Sequence, residues 1–250
     1  MLIDLDHAIS AGDAHARLVA QGFVTLAPAA LARLVGHGVD ELAALTPSWD
    51  DLVPDRYLRD GGHYRWRRHG CGILDVSRAR FDDVPHRAHW QSTDYNALHG
   101  GLERWFEPLA PALASAPAWR DLVVRLGVSF AAVRSPDGGR WFVETHPFRI
   151  DTSDGVGRPT PEGAHRDGVD FVAVILIGRS AITGGETRVF EADGARGVRF
   201  TLDAPWSALL LDDTRVIHES TPIQPTDGRP GHRDTLVITY RAGGFQAPPA

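Results

Sequence analysis

PTPEGAHRDGVDFVAVILIG, residues 159–178, is the stretch that most strongly predicts a β fold. It begins with turn-forming residues, passes through His165-Arg166-Asp167 and ends in an almost unbroken apolar run from Phe171 to Ile177. A short apolar run bounded by turn residues predicts a buried strand. Two side chains that can bind a metal, His165 and Asp167, therefore stand at the start of the most strand-like segment in the chain.

Short β-like segments continue from Val128 to Arg241, and turn clusters such as SPDGG and TDGRPG separate them. Eight segments at this regular spacing predict two packed antiparallel sheets. The predicted fold is therefore α+β but mainly β, a jelly-roll with helices bracing one outer face. The predicted strands are VSFAAVR, RWFVETHPFRI, DFVAVILIG, ETRVFEA, VRFTL, SALLLDD, RVIHEST and DTLVITYR.

Residues 1–127 show a different pattern, with apolar residues at helical spacing. Helices are predicted for PAALARLVGHGVDELAAL from Pro28 and for STDYNALHGGLERWFEPLAPALA from Ser92, and strands for GFVTL and YRWRRHGCGILDV. YRWRRHG is basic and aromatic, so it predicts either an edge strand over the mouth of a site or a plain amphipathic strand. We predict one domain over 1–250, with a mostly helical part at 1–127 packed on a jelly-roll core at 128–241.

Composition excludes several classes of protein. The chain has 250 residues and a net charge of -6, which argues against a general affinity for nucleic acid. Its one cysteine, Cys71, cannot form an internal disulfide, and MLIDLDHAIS lacks the features of a secretion signal. The apolar run 171–177 is too short to cross a membrane. We expect a cytoplasmic protein, and the oligomeric state is open, with a homodimer among the options.

The triplet His-Arg-Asp has little weight by itself, because it occurs again at residues 232–234. Only the first copy is followed by a further histidine on a predicted strand, His218 in RVIHEST. Side chains two residues apart on an extended segment project to the same side, so His165 and Asp167 can reach one ion. Together with His218 they would form the two-histidine, one-carboxylate triad of non-haem Fe(II) oxygenases.

Other interpretations of these residues remain open. A structural zinc site usually has four protein ligands rich in cysteine, which this chain lacks. His218 inside an apolar strand is often an ordinary core histidine, and His165 and Asp167 can cap turns. A β-sandwich that holds a metal without catalysis is thus an alternative, because a fold does not determine a function.

A second part of the site is predicted on the strand DTLVITYR. Arg233 and Thr235 share one face of this strand, and an arginine fork beside a hydroxyl suits a carboxylate. Such a carboxylate group would be the distal end of 2-oxoglutarate, the cosubstrate of many Fe(II) oxygenases. Arg229 and Arg241 are the competing arginines.

At these residues the chain resembles the Fe(II)/2-oxoglutarate-dependent dioxygenases, and within them a bacterial branch of small-molecule hydroxylases related to L-isoleucine dioxygenase. The resemblance covers roughly residues 60–241. It implies a distorted double-stranded β-helix of the jelly-roll or cupin type, iron on His165, Asp167 and His218, and 2-oxoglutarate on Arg233 assisted by Thr235. The segments that carry it are YNALHGGLERWFEPL, VETHPFRI, PEGAHRDGVDFV, GGET, LLLDDTRVIHESTPI and RDTLVITYR.

The resemblance also implies the reaction. The related enzymes use O2 to hydroxylate an unactivated C–H and release succinate and CO2, with ascorbate as a supporting reagent in vitro. Similar halogenases replace the metal carboxylate with a small residue, so Asp167 favours hydroxylation.

The implied substrate is a free L-amino acid, and the alternative is a peptide or protein side chain. Arg149 is a candidate for the substrate carboxylate, with a structural ion pair as its alternative role. Asp170 or Glu144 would bind the substrate ammonium group.

Overall fold

A computed structural model gives the fold of residues 10–226 and 228–249. Residues 1–9, which include most of the stretch compared with a secretion signal, lie outside the described residues, as do residues 227 and 250. The α-helices are α1 (Ala11–Gln21), α2 (Pro28–Val35), α3 (Val39–Ala43), α4 (Pro111–Ala114) and α5 (Pro117–Val133), and short 3-10 helices occupy Thr46–Asp51 and Asp137–Gly139. The strands are β1 (Phe23–Leu26), β2 (Val53–Pro54), β3 (Arg65–Arg67), β4 (Gly70–Asp75), β5 (Arg80–Asp83), β6 (Arg140–Asp151), β7 (Phe171–Ser180), β8 (Ile182–Gly184), β9 (Thr187–Glu191), β10 (Gly197–Phe200), β11 (Ala208–Asp212), β12 (Val216–Ser220), β13 (Ile223–Pro225) and β14 (His232–Arg241).

A nine-stranded antiparallel sheet forms the centre of the molecule. Its order is β1-β11-β7-β14-β6-β3-β2, and β4 and β5 extend it from β6. A three-stranded sheet, β10-β9-β12, and the pair β13-β8 are separate from it. The mainly β, jelly-roll-like architecture with a few helices is as predicted.

The two faces of the large sheet bury different side chains. Along β7, Phe171 and Ile175 belong to the apolar cluster that contains the helices, whereas Val172 and Val174 pack with Val189 of the three-stranded sheet. This division follows from the alternation of side chains along a strand. The helices α1, α2 and α5 therefore cover one face, and the small sheet covers part of the other.

The segment VSFAAVR, predicted as a strand, is the last part of α5. Leu122, Leu126 and Phe130 recur every four residues in α5 and are fully buried. The helical spacing that begins near Pro117 outweighs the strand preference of the valine and phenylalanine residues, because it buries one continuous apolar stripe.

The long helix predicted from Ser92 is also wrong, since only α4 is helical within residues 92–114. A Cβ on Gly100 would lie 2.4 Å from the carbonyl oxygen of Asn96, and Gly101 has a φ of +77°. The two glycines thus fit a tight turn that other residues disfavour. The helix predicted from Pro28 is divided into α2 and α3 at Gly36, whose φ is +76°.

The first 127 residues contribute strands as well as helices. GFVTL forms β1 as predicted, and YRWRRHGCGILDV forms two strands, β3 and β4. β1 to β5 all belong to the large sheet, so this part of the chain supplies five of its nine strands. The predicted change of character near residue 128 falls inside α5.

Candidate functional site

A cavity on the face of the large sheet opposite the helices collects buried polar side chains from several elements. Odd-numbered residues of β14, Arg233 to Thr239, and even-numbered residues of β6, Glu144 to Ile150, line it. His218 on β12 and the loop before β7 close over these strands. The cavity holds about 930 Å³ of empty space, part of it open to solvent.

His165, Asp167 and His218 form a compact group in this cavity, and their ligand atoms all lie within 4.8 Å of one another. Nε2 of His165 lies 3.6 Å from Oδ1 of Asp167, and Nε2 of His218 lies 3.9 Å from Oδ2 of Asp167. Two imidazole nitrogens and one carboxylate are the donor set of a facial Fe(II) triad, which leaves further metal positions for small ligands. The three side chains therefore fit an iron ion.

Backbone hydrogen bonds hold the two histidines together although they are far apart in sequence. The His165 N–H donates to the His218 carbonyl over 3.0 Å, and the His218 N–H donates to the His165 carbonyl over 2.9 Å. The loop before β7 is thus paired to β12 at the two ligand residues. The separation of the histidine rings, 4.7 Å between centroids, follows from this pairing.

Asp213 fixes the turn that carries Asp167. Its carboxylate accepts the backbone N–H groups of Asp167, Gly168 and Val169 at 3.0, 2.8 and 3.1 Å. Burial and the nearby Asp167 raise the pKa of Asp213 to about 7. Gly168 in the same turn has a φ of +77°, a conformation that glycine adopts without strain.

Neighbouring groups also orient the ligand side chains. Nδ1 of His165 lies 3.0 Å from the carbonyl oxygen of Gly163. With a hydrogen on Nδ1, the lone pair of Nε2 faces the other ligands, as in many metal-binding histidines. Gln91 donates from Nε2 to Oδ1 of Asp167 at 3.3 Å.

The electrostatics of the triad favour a bound cation. Burial opposes charge on His165, but Asp167 outweighs burial and raises the pKa of His165 to about 10. Burial likewise opposes charge on Asp167, but His165 lowers the pKa of Asp167 to about 2. Burial lowers the pKa of His218 to about 4. A charged Asp167 and a neutral His218 are the protonation states that metal ligation requires, and a cation would take the place of the proton on His165.

Arg233 and Thr235 lie side by side on the cavity face of β14, and both are buried. Nε and Nη2 of Arg233 have no hydrogen-bond partner among the described residues. Burial leaves the Arg233 guanidinium short of solvation, so an incoming carboxylate would satisfy it. Of the competing arginines, Arg229 is exposed and Arg241 donates to the carbonyl of Gly244, and neither lines the cavity.

A sequence model of the family described as 2OG-Fe dioxygenase matches residues 46–239, which is most of the chain. The chain belongs to this family. The dioxygenase family uses Fe(II), 2-oxoglutarate and O2, and the His165, Asp167, His218 group provides the iron-binding residues that this chemistry needs. The protein is therefore a 2-oxoglutarate-dependent non-haem iron dioxygenase.

Solved structures share the fold of this dioxygenase. A bsmA homolog from Methylobium petroleophilum PM1 is 59% identical, with a TM-score of 0.95 and 100% of both chains covered. IDO from Bacillus thuringiensis is 17% identical with a TM-score of 0.77, covering 95% of this chain and 100% of its own. The Fe(II)/(alpha)ketoglutarate-dependent dioxygenase TqaL is 18% identical with a TM-score of 0.72, covering 95% of this chain and 90% of its own. A search of curated proteins found no significant match.

Two of the predicted substrate contacts lie outside the cavity of the dioxygenase. Arg149 is on the opposite face of β6, where it donates to Asp234 at 2.8 and 2.7 Å and to Asp50 at 3.0 Å. This geometry corresponds to the ion-pair alternative, because Arg149 and Asp234 are directly opposed across β6 and β14. Asp170 accepts the backbone N–H of Ala242 and lies 3.5 Å from Arg134, so its carboxylate also faces away from the cavity.

Glu144, the third predicted contact, does line the cavity, but both of its carboxylate oxygens are occupied. Nε2 of His69 lies 3.1 Å from Oε1, and Nδ1 of His89 lies 3.3 Å from Oε2. Burial lowers the pKa of His69, and lowers that of His89 to about 4, so two neutral imidazoles donate to a charged Glu144. Burial opposes that charge, but the two histidines hold the pKa of Glu144 below its ordinary range.

His146 completes a second group of metal-capable side chains with Glu144, His69 and His89. The rings of His69 and His146 are stacked, with centroids 4.8 Å apart and planes within 10°. Imidazole lone pairs lie in the ring plane, so these two rings cannot direct lone pairs at one ion. Nδ1 of His146 accepts a hydrogen bond from Nη2 of Arg67 at 2.6 Å. The three histidines therefore hold the side chains of Glu144 and Arg67 in place by hydrogen bonds, and they do not form a metal site.

Sequence reasoning missed several residues of the site: Arg65, Arg67, Gln91, Arg104, Glu162 and Asp213. Arg65 and Arg67 lie in YRWRRHG, which is an interior strand between β2 and β6 and not an edge. Arg65 and Arg67 are two residues apart, so they share one face of a strand, and this spacing could have predicted that both side chains enter the site. The other four residues lie in irregular segments, where spacing carries no information about direction.

No helix among residues 10–226 and 228–249 is both long and apolar enough to span a membrane.

Proposed function

We propose that the dioxygenase hydroxylates an unactivated C–H of a small molecule, and that this molecule is a free L-amino acid or a close derivative. Succinate and CO2 are the expected coproducts. We also propose that the protein belongs to the branch related to L-isoleucine dioxygenase, with the same class of substrate. Within this proposal Arg233 and Thr235 bind 2-oxoglutarate, and Glu144 contributes to the substrate side of the cavity.

One observation carries the proposal: a single cavity contains the triad, the unpartnered Arg233 and several more buried charged side chains. Buried charges without partners are costly, so such a cavity favours a small ligand with charges of its own. A free amino acid has a charge of each sign next to its α-carbon. A residue inside a protein chain has neither of these two charges, because its α-amino and α-carboxyl groups form peptide bonds.

The residues of the chain have separate roles in the proposed reaction. Bound iron, with 2-oxoglutarate and O2, supplies the oxidising chemistry. His165, Asp167 and His218 hold the metal, and Asp213 and Gly163 fix the direction of two of these ligands. Arg233 neutralises the distal carboxylate of the cosubstrate. Val174 and Val237, on neighbouring strands of the cavity wall, keep water from part of the site.

A product screen tests the proposed function. The purified protein is incubated with Fe(II), ascorbate, 2-oxoglutarate and each of the twenty amino acids singly, and products are analysed by mass. The expected result is a product heavier by one oxygen atom, formed together with an equal amount of succinate. If 2-oxoglutarate decays with no hydroxylated amino acid, or if only peptides are hydroxylated, the proposed substrate is wrong.

Variants of the triad provide the controls. His165→Ala, Asp167→Ala and His218→Ala should each abolish Fe(II)-dependent succinate formation and leave the protein folded. His63→Ala is the matched control, because the His63 side chain is 88% exposed and does not line the cavity. Normal turnover by all three triad variants would show that these residues are not the metal ligands.

A further inference from the structure

Three buried arginines form a second positive cluster in the cavity, apart from Arg233. Arg65, Arg67 and Arg104 are 6%, 3% and 2% exposed. Each has a buried N–H without a hydrogen-bond partner among the described residues: Nη2 of Arg65, Nε of Arg67 and Nε of Arg104. All three side chains line the cavity. We refer to them as the arginine cluster.

Asp55 is the one carboxylate within ion-pair distance of the arginine cluster among the described residues. Nε of Arg65 donates to Asp55 at 2.7 Å, and Nη1 of Arg67 lies 3.9 Å from the same carboxylate oxygen. Arg104 has no carboxylate within ion-pair distance among the residues described, and its Nη2 donates to the amide oxygen of Gln91 at 3.1 Å. Glu144 and Glu162 act on Arg67 and Arg104 from beyond that distance, and each of the three guanidinium groups keeps an N–H without a partner. Buried charges of this kind are stable when an anion completes them.

Packing holds the arginine cluster ready for a ligand. The Arg67 guanidinium contacts two aromatic rings, 3.7 Å from the centroid of Phe106 and 4.2 Å from that of Phe148. These contacts restrain the guanidinium; its Nη2 donates to His146, and its Nε remains without a partner among the described residues. A planar guanidinium edge matches a carboxylate in geometry.

A carboxylate with a free oxygen lies in the same cavity next to the metal ligands. Oε1 of Glu162 is 3.7 Å from Nε2 of His165, and Oε2 of Glu162 is buried without a partner among the described residues. Glu144 differs, because histidines occupy both of its oxygens. Gln91 also connects the two regions, since it accepts from Arg104 and donates to Asp167.

We propose that the arginine cluster binds the carboxylate of an α-amino acid and that Glu162 binds its ammonium group, so that the side chain of the substrate is presented to the metal. This inference rests on the proposed function and replaces Arg149 and Asp170 with residues that line the cavity. It requires that both the amino and the carboxyl group be free. N-acylated amino acids, amino acid amides and residues inside a peptide lack one or both charges and are excluded.

Binding to the loaded but inactive protein tests this proposal. The protein is saturated with Mn(II) and 2-oxoglutarate, and titration calorimetry measures the affinity of each of the twenty L-amino acids. The best ligand is then compared with its N-acetyl and carboxamide forms. Loss of one charged hydrogen bond corresponds to roughly a 10- to 100-fold loss of affinity, which is expected for either blocked form.

Measuring the N-acetyl and carboxamide forms against variants of the protein shows which residue binds the ammonium group and which binds the carboxylate. Glu162→Gln should weaken binding of the free amino acid by about 10- to 100-fold and leave the N-acetyl form unchanged. Arg104→Gln should weaken the free amino acid and leave the carboxamide unchanged. Glu103→Gln and Arg125→Gln, at exposed positions, are the matched controls and should have no effect. The blocked ligands test the wild-type protein as well, so the result does not depend on a variant that fails to fold.

The outcomes separate this inference from the proposed function. Blocked and free ligands that bind equally, variants without effect, or no binding by any amino acid would each overturn the inference. If binding follows the expected pattern but no oxygenated product forms, the inference stands and the proposed hydroxylation fails. If an amino acid is hydroxylated while both variants keep the wild-type affinity, the hydroxylation stands and the assigned subsite is wrong.

Discussion

Arg233 and Arg149 show how the surroundings of a residue determine its role. Both are arginines on neighbouring strands, but Arg149 donates to Asp234 and Asp50 while Arg233 has two unpartnered nitrogens. An arginine already paired with two carboxylates has little to offer a ligand. A buried arginine without a partner is costly, and an anionic ligand that pairs with it removes that cost.

Replacing Arg233 tests its role with 2-oxoglutarate. Arg233→Ala should raise the KM for 2-oxoglutarate by at least about 10-fold, because a charged hydrogen bond to the distal carboxylate is lost. The KM for the second substrate should change little. Arg229→Ala, at an exposed position, is the control. An unchanged 2-oxoglutarate requirement in Arg233→Ala would contradict this role.

Asp213 is expected to act on the metal through Asp167. Asp213→Asn places an amide group where three backbone N–H donors converge, so the turn that holds Asp167 should loosen. We expect a 10- to 100-fold loss of affinity for Mn(II), a typical effect of residues that orient metal ligands. Asp212→Asn is the matched control, because Asp212 pairs with Arg134 and does not bind the turn. Equal metal affinity in both variants would contradict this role.

At the scale of elements, α5 packs unusually closely on the large sheet. A Cβ on Gly127 would lie 2.2 Å from Cδ2 of Leu74 and 2.8 Å from Cε1 of Tyr240. The indole of Trp141 donates to the Gly127 carbonyl at 2.9 Å. The helix therefore needs a residue without a side chain here, although glycine lowers helix propensity.

A pair of glycine replacements tests this packing. Gly127→Ala should lower the free energy of unfolding by about 1–3 kcal/mol, because overpacking outweighs the gain of roughly 1 kcal/mol in helix propensity. Gly12→Ala in α1 should be neutral or stabilising, since the nearest atom to its new Cβ is 3.9 Å away. Urea denaturation measures both. A stabilised Gly127→Ala would show that α5 can move off the sheet without cost.

His37 connects the α2–α3 turn to α5 and makes this contact sensitive to pH. Its Nε2 lies 3.0 Å from Asp121 and its Nδ1 3.2 Å from Glu41. The hydrogen bond to Asp121 raises the pKa of His37 above its ordinary value, although burial opposes this. The stabilisation is therefore complete below the unfolded pKa near 6.5 and is lost as pH rises through the higher folded pKa.

The expected consequence is a small, pH-dependent loss of stability in His37→Gln. The loss should be less than about 1 kcal/mol near pH 6, because both partner carboxylates are largely exposed, and should become smaller as the pH rises toward 9. Urea midpoints of wild type and variant at the two pH values measure it. A loss that grows toward pH 9 would contradict the sign.

For the whole molecule, the site joins parts of the chain that are distant in sequence. The loop before β7 supplies His165 and Asp167, β12 supplies His218 and β14 supplies Arg233. A ligand that binds all three parts stabilises only the folded arrangement. Ligand binding and global stability are therefore linked.

Metal and cosubstrate should raise the melting temperature together. With Mn(II) and 2-oxoglutarate each near 100 times its Kd, each binding event adds about 2.7 kcal/mol. For a chain of this size the combined shift is roughly 10–20 °C. His218→Ala should lose most of the shift from Mn(II), whereas Arg233→Ala should lose only that from 2-oxoglutarate. A full shift in both variants would place the ligands elsewhere.

Local patterns in the sequence were enough to predict the β architecture and the grouping of candidate ligands. The strand alternation that places His165 with Asp167, and Arg233 with Thr235, repeats every two residues and needs no distant partner. The same alternation put Glu144 and Arg149 on opposite faces of β6. It did not say which face is inside, because that depends on which sheet or helix covers each face.

Tertiary structure alone decided which residues of the irregular segments line the cavity. Arg104 and Glu162 lie in irregular segments whose path is fixed by contacts with distant strands, so their neighbours cannot be read from spacing. VSFAAVR became the end of α5 because burial of Phe130 against Phe171 and Tyr240 outweighed the strand preference of its valine and phenylalanine residues. The sequence by itself thus determined the residue types and the local alternation of the site, and long-range packing determined which of those residues face one another.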